Sequence, residues 1–475
     1  MSRTQPVIVW FRQDLRLADN NAFREAAETG APVLPVYVLD DESAGEWAMG
    51  AASRWWLHES LAALNADLEG GLYCLQGCAE ALIPRLASQV DASGIFWNRC
   101  YEPWRIEQDS VVDACLSADD LDVSVSGGSL LFEPDQVMKS DGSPYKVFTP
   151  YYRKGCLAAG RSPAAPVPRP ARFDLYRMPS GGSPDELGLL PELQWYEEMA
   201  ETWRPGEQGA GQRLNRFLQE GIRGYKDGRN RPDQEFVSRL SPHLHFGEIS
   251  PGQIWFEARA LEHEAGTAVD VDHFLSELGW REFSHYLLYH WPELPQENLQ
   301  QKFDRFPWRD DPDALERWQR GQTGYPIVDA GMRQLWRTGY MHNRVRMIVG
   351  SFLVKNLLLH WHHGEKWFWD TLVDADLANN SASWQWIAGC GADAAPFFRI
   401  FNPVTQGQKF DPGGAYVRKY VPEIGRLPEK FIHQPWHAPE AVLAEADVRL
   451  GVDYPHPMVD LRTSRERALQ AFKSL

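Results

Sequence analysis

Three short stretches of the chain carry more chemistry than their neighbours. In FLSELGWREF, Glu277, Trp280 and Arg281 fall at i, i+3 and i+4, so one helical face presents a carboxyl, a large ring and a guanidinium together. Such a Glu/Arg pair is most often a solvated surface pair. In GYMHNRVRM, His342, Asn343, Arg344 and Arg346 concentrate polarity just before an apolar run. In DADLANNSASWQWIAGCGADAAPFFRIFNP, Asp374, Asp376, Asn379, Asn380, Trp384, Trp386, Asp393 and Arg399 sit in an Ala-, Gly- and Phe-rich background typical of buried positions. Burying that many polar groups requires partners, either internal or on a ligand. Two common catalytic centres lack their signatures. His243 with His245, and His360 with His362 and His363, supply imidazoles, but there is no HExxH and Cys390 has no cysteine companion, so no metal is expected. No GxSxG elbow focuses a Ser-His-Asp or Cys-His hydrolase.

The elements that must position these residues change character along the chain. From Pro6 to Ser126, β-type apolar runs (Val7 to Phe11, Val33 to Leu39, Leu72 to Leu75, Gly94 to Trp97, Leu121 to Val125) alternate with helical spacing, the βαβ rhythm of a parallel sheet. A helix is predicted over Ala51 to Leu68, stopping before Gly70 and Gly71. Five strands make a doubly wound α/β domain, yet neither a GxGxxG after the first strand nor a Walker loop is present. Between Arg161 and Pro191, prolines at 163, 166, 168, 170, 179, 184 and 191 with Gly181 and Gly182 resist regular structure and read as an interdomain linker. Beyond Trp195 helical spacing dominates, as in Phe274, Leu275, Leu278, Phe283 and Leu287, and in Met332, Leu335, Val345, Ile348 and Phe352. The expected fold is α/β plus all-α: a Rossmann-like domain over 1–130, a linker over 131–200 and a helical domain over 201–475.

Composition narrows the partners. The 475 residues carry 48 Lys and Arg against 65 Asp and Glu, a net charge of −17, so any nucleic-acid site must be a local basic patch in a repelling field. The six cysteines are too scattered for a disulfide framework, which fits a reducing cytoplasm. Arg12 and Asp14 come too early for a signal peptide, and the apolar stretch from Ile348 to Leu359 carries Lys355 and is too short to span a bilayer. The outlier is tryptophan: 20 residues, crowded between Trp255 and Trp386. Such rings fill cores and also stack on flat ligands and bases.

Taken together, WFRQDLRLADNNAF, SRLSPHLHFGEISP, ELGWREF, TGYPIVDAGMRQL, MHNRVRM, and DADLANNSASWQW through DAAPFFRIFNPVTQGQKFD resemble the photolyase and cryptochrome flavoprotein family, from Val7 to about Ile424. The resemblance implies an antenna domain, a linker and a helical domain holding bent FAD. It implies flavin contacts at Tyr225, Ser238, Arg239, Leu240, Ser241, Phe274, Glu277, Arg281 and Arg346, with Asp374 and Asp376 near the ribose and isoalloxazine and Asn380 facing flavin N5. Val237 and Phe274 stand where family members often have Thr and Trp. In members that repair DNA, the matching Glu277, Trp280, Asn343, Arg344, Met347, Trp386 and Gln406 form the lesion pocket and rim, while Arg229 grips phosphate; Trp384, Trp361 and Trp308 stand where the family has its electron-transfer chain.

Three activities compete within the family: cyclobutane dimer repair, (6-4) photoproduct repair, and cryptochrome signalling. The (6-4) enzymes are expected to face the lesion with histidines where this chain has Asn343 and Met347. Cryptochromes typically add a C-terminal extension and often replace the N5-facing Asn; here a short stretch follows Gln406 and Asn380 is retained. The expectation is a monomeric, cytoplasmic deoxyribodipyrimidine photo-lyase acting on UV-damaged DNA. YEPWR and DADLANNSASWQW resemble class III more than class I members. Iron–sulfur relatives are excluded because Cys390 alone builds no cluster. The implied antenna is methenyltetrahydrofolate, without assigned residues, since Trp104 and Arg105 stand where folate-binding class I members have Asn and Glu.

Overall fold

A computed structural model describes residues 5–118, 121–158, 161–393 and 399–475. The AAPFF segment of the third motif lies outside the described residues. The chain forms two compact units. The first comprises Met1–Arg223, Ser238–Pro292 and Val373–Ala378; the second comprises Gly224–Val237, Glu293–Leu372 and Asn379–Leu475. No helix among the described residues is long and apolar enough to cross a membrane.

The first unit begins with five parallel strands, β1 (Val7–Phe11), β2 (Val33–Leu39), β3 (Tyr73–Gln76), β4 (Gly94–Asn98) and β5 (Asp122–Ser126), in the order β3-β2-β1-β4-β5. Strands β1, β2 and β4 are buried along their whole length, while β5 is an edge strand with exposed positions. That explains the unbroken apolar runs VIVWF and VLPVYVL, since a central parallel strand is covered on both faces. Helices α1 (Asn21–Glu28), α2 (Ala51–Asp67), α3 (Ala79–Val90) and α4 (Pro103–Ala118) make the crossovers. Trp10, Trp97, Ile8, Ile83 and Val112 meet in a common core. The expected strands at Leu72 and Leu121 start one residue later, and the expected helix ends at Asp67, where Glu69 and Gly70 turn to positive φ.

The motif after β1 is structural. Asn98 donates to Asp14 (2.6 Å) and Asn20 (2.7 Å), and Arg16 donates to the carbonyls of Asp19 and Gly247. All four side chains are buried. Gly247, at φ 65°, touches this loop so closely that a Cβ would fall 2.0 Å from the Gln13 carbonyl oxygen. The end of β1 thereby clamps the segment that follows α5 (Ser241–His245). Trp56 on α2 and the Gly206 amide both donate to buried Glu248, which also pairs with His243.

The proline-rich stretch is largely irregular, as composition demands, but runs along the sheet: Val33 donates to the Asp174 carbonyl and Cys74 to that of Gly182. Ahead of it, residues 131–152 pack on α6 (Ala268–His290). Leu131 and Phe132 donate backbone N–H to buried Glu282, Tyr152 donates to the Leu275 carbonyl, and Tyr286 donates to that of Val137.

The second unit is helical: α7 (Pro312–Gln319), α8 (Pro326–Thr338), α9 (Asn343–Ser351), α10 (Trp361–Thr371), α11 (Leu377–Ala388, whose first two residues belong to the first unit) and α12 (Pro403–Phe410). The apolar spacing from Met332 to Phe352 is divided between α8 and α9, because Gly339 at φ 65° closes α8.

Candidate functional site

In the first unit, α6 carries the helix-face constellation. Phe274 is buried with its ring 4.6 Å from Phe217, and Glu277 is half-buried one turn before Trp280. Trp280 lies flat on Phe148, with centroids 3.8 Å apart and planes 12° apart, and Tyr152 also stacks on Phe148, at 5.4 Å. The indole is therefore a fixed, half-buried wall. Arg281 donates to the Ser129 carbonyl (3.0 Å) and to Glu282 (3.2 Å). The fully buried carboxyl on this helix is Glu282, pushed up by burial, whereas Glu277 is only partly covered. The family-implied loop precedes α5: Ser238, Arg239 and exposed Ser241 flank buried Leu240, Arg239 adopts φ 52°, and Arg213 donates to the Ser238 carbonyl.

Asp374 and Asp376 are both buried in this unit. Asp376 lies 3.3 Å from His285 and 3.6 Å from His245. Burial alone would push Asp376 up, but these histidines hold it well below the usual carboxylate range, and Asp376 raises His285 against its own burial. Asp376 thus sits against two imidazoles of its own unit.

In the second unit, α9 gathers one face. Asn343 is exposed at its first position, Arg344 and Met347 are half-buried, and Arg344 donates to Asn230 (2.6 Å) and to the Met347 sulfur (3.4 Å) while lying over the Phe410 ring. Arg229 lies 5.6 Å over the buried Tyr225 ring. Burial, with the charge of Arg229 adding, holds the Arg344 guanidinium below its ordinary value. Gln406 is half-buried on α12, the helix that ends at Phe410. Arg346 turns elsewhere, donating to the Met341 carbonyl and covering Tyr340.

Buried Trp384 sits between Phe368 (5.0 Å) and Trp318 (6.3 Å), against Gly364, where a Cβ would fall 2.1 Å from the indole. Trp361 is fully buried and donates to Asn298 (3.0 Å), itself held by Asp304 (2.7 Å). Half-buried Trp308 meets His360 at 5.1 Å. Asn380 is buried; its Nδ2 donates to the Glu365 carbonyl (3.0 Å), which fixes the amide and leaves Oδ1 outside that bond as an acceptor. Trp386 is half-buried, and its neighbour Gln385 ties down the loop at Leu294, Glu297 and Leu299.

Sequence reasoning did not single out Phe148, Asn230, Asn298, Phe410 or the contact of His360 with Trp308. Each lies far along the chain from its partner or has an unremarkable context; only the HWHH cluster flagged His360, and for a different chemistry. Arg105 is buried with its guanidinium 4.2 Å over the Trp104 ring.

The two halves of the chain match two family models: residues 7–171 match DNA photolyase, and residues 274–474 match the FAD binding domain of DNA photolyase. A deoxyribodipyrimidine photo-lyase from Agrobacterium fabrum is 48% identical over 100% of this chain and 98% of that protein. Cryptochrome-1 of Arabidopsis thaliana is 37% identical over 98% of this chain and 70% of its own length. Among solved structures, a bacterial class III photolyase from Agrobacterium tumefaciens superposes with a TM-score of 0.95 at 47% identity, covering 100% and 98% of the two chains. A Synechocystis cryptochrome superposes with a TM-score of 0.90 at 30% identity, covering 99% and 100%. The fold and these matches define a class of FAD-binding proteins built like DNA photolyase. The chain belongs to the DNA photolyase and cryptochrome family, and FAD is its cofactor. Each unit by itself carries side chains of a kind that suits the group: hydroxyls on Ser238 and Ser241 and a carboxylate on Asp374 in the first, and in the second the amide of Asn380, held through its Nδ2.

Proposed function

We propose that the protein is a deoxyribodipyrimidine photo-lyase of the class III type, repairing cyclobutane pyrimidine dimers in UV-damaged DNA as a cytoplasmic monomer. The observation that carries this reading is the α9 face. Arg229 and Arg344 concentrate positive charge in an acidic chain, and Asn343 and Met347 stand where a (6-4) enzyme would present histidines. FAD is held by Tyr225, Ser238, Arg239, Leu240, Ser241, Phe274, Glu277, Arg281, Arg346, Asp374, Asp376 and Asn380, and when reduced and excited it supplies the electron. Methenyltetrahydrofolate is the proposed antenna, and the proposed division is 1–130, 131–200 and 201–475.

On this reading Arg229 and Arg344 bind phosphate, while Trp280 and Trp386 receive the flipped dimer. Stacking contributes about 1–3 kcal/mol per base, which offsets an extrusion that costs a few kcal/mol. Phe148 behind Trp280 keeps that wall in place without further ordering on binding. Glu277 donates a hydrogen bond to a pyrimidine carbonyl where negative charge develops, and Asn343 adds a neutral amide. Met347 and Gln406 complete the rim. Trp384, Trp361 and Trp308 form the path by which electrons enter from solvent. The test is an absorbance spectrum followed by a light-dependent repair assay on a thymine-dimer oligonucleotide. Repair after chemical reduction is expected. A protein that loads FAD, is reduced and leaves the dimer intact is a signalling cryptochrome instead.

A further inference from the structure

The ring that touches both Trp361 and Trp308 is an imidazole. His360 stacks on Trp361 with centroids 5.6 Å apart and planes 28° apart, and meets Trp308 edge-on at 5.1 Å. Both spacings are within the range of direct aromatic contact. The ring is held at its other edge, because His360 caps α10 and its Nδ1 accepts the His362 backbone N–H (3.2 Å). A nitrogen that accepts a hydrogen bond carries no proton, so the geometry selects the uncharged imidazole with hydrogen on Nε2.

We propose that His360 is a positioning residue for electron transfer, a neutral aromatic bridge that couples Trp308 to Trp361. This rests on the reading of these tryptophans as electron carriers. In the step, one electron leaves the Trp308 indole and fills the hole on the Trp361 radical cation. Trp361 becomes neutral and Trp308 becomes the radical cation; no covalent bond forms or breaks. An exogenous thiol then gives one electron to the Trp308 radical cation and one proton to water, and the thiyl radicals left by two such events combine to a disulfide.

The electrostatics agree with the geometry. His360 is pushed down to about 4 by burial and by the neighbouring His362 and His363, so it is uncharged at neutral pH. Along the segment that follows Trp308, Arg309 and Asp311 pair with each other at 3.2 Å, and Arg309 also reaches the Leu357 carbonyl. A cationic imidazole between the indoles would oppose a radical cation on either one. At the other edge, Asn298 offers an oxygen to the Trp361 N–H, which favours positive charge there.

The test is polarised transient absorption on the full-length, FAD-loaded protein, following hole arrival at Trp308 by the change in anisotropy. His360→Leu removes the bridge and is expected to slow that step about tenfold, the equivalent of about 1.4 kcal/mol of barrier. The yield of long-lived indole radical should fall with it. His360→Phe retains a ring and is expected to restore the rate to within about twofold while abolishing its decline as pH is lowered toward 4. A native rate in His360→Leu, or a His360→Phe variant as slow as His360→Leu with FAD content unchanged, overturns the proposal. Trp308→Phe separates the two levels of inference: if it leaves the anisotropy decay as in the native protein, the electron-carrier reading itself is wrong.

Discussion

The stretches Trp10–Phe23 and Asp374–Trp386 look alike in sequence, each setting Asp, Asn and a large ring among apolar residues, yet they do opposite things. In the first, Asp14, Arg16 and Asn20 spend their hydrogen-bonding capacity on Asn98 and on nearby carbonyls, and the network closes on itself. In the second, Asp376 is closed by His245 and His285, but Asn380 is pinned through one end of its amide and offers the other. Polar density within apolar sequence marks burial. Unspent capacity in a rigid frame marks a site.

The sharpest break between the two stretches is Trp384→Phe. It keeps an apolar ring in the Phe368, Trp318 and Gly364 box but raises the energy of an indole radical cation, so flavin photoreduction should be lost while FAD content is retained. Repair after dithionite reduction should persist; equal loss of repair would recast Trp384 as a structural support. In the closed stretch, Asp14→Ala leaves buried donors unpaired and should lower unfolding free energy by about 3 kcal/mol in a denaturant titration. Photoreduction per folded molecule should be unchanged, and a selective loss of it would move this motif into the chemistry.

Glu277→Ala should photoreduce normally and repair about tenfold less well, a smaller loss than the ~10²-fold of an enclosed oxyanion donor, because Glu277 is only half-buried. Arg229→Ala should weaken DNA binding across sequences and reduce the slope of log K against log salt by about one. A slope equal to that of the native protein removes Arg229 from the phosphate contacts. The smallest effect concerns Asp376 and His285. With the His285 value raised above 6.5, folding stability should fall as pH rises from there through the raised value; with Asp376 held below 3.8, it should also fall as pH drops beneath 3.8. His285→Gln should flatten the alkaline limb of Tm against pH, and an unaltered limb would show that the pair contributes nothing there.

Much of this is legible in the sequence. The βαβ rhythm placed β1 and β2 to the residue, because central parallel strands are written as continuous apolar runs. The edge strands β3 and β5 were displaced by one residue, because half-exposed strands share their composition with the loops beside them. The Glu277, Trp280 and Arg281 face followed from helical spacing alone. Gly339, which splits α8 from α9, was hidden inside an apolar spacing that ran through both.

What the sequence determined by itself was local: the periodicity of its elements, the residue types available for stacking, phosphate binding and electron transfer, and motifs long enough to indicate the family. What only the tertiary structure decided was which neighbours those residues have. Phe148 comes to lie on Trp280, Asn298 to meet Trp361, Asn230 to hold Arg344, and His360 to stand between two indoles. The same holds for Glu282, and not Glu277, becoming the buried carboxyl of α6. Spacing along one helix says which side chains share a face. The environment of that face is set by elements more than a hundred residues away, brought there by packing and not by any local preference of the chain.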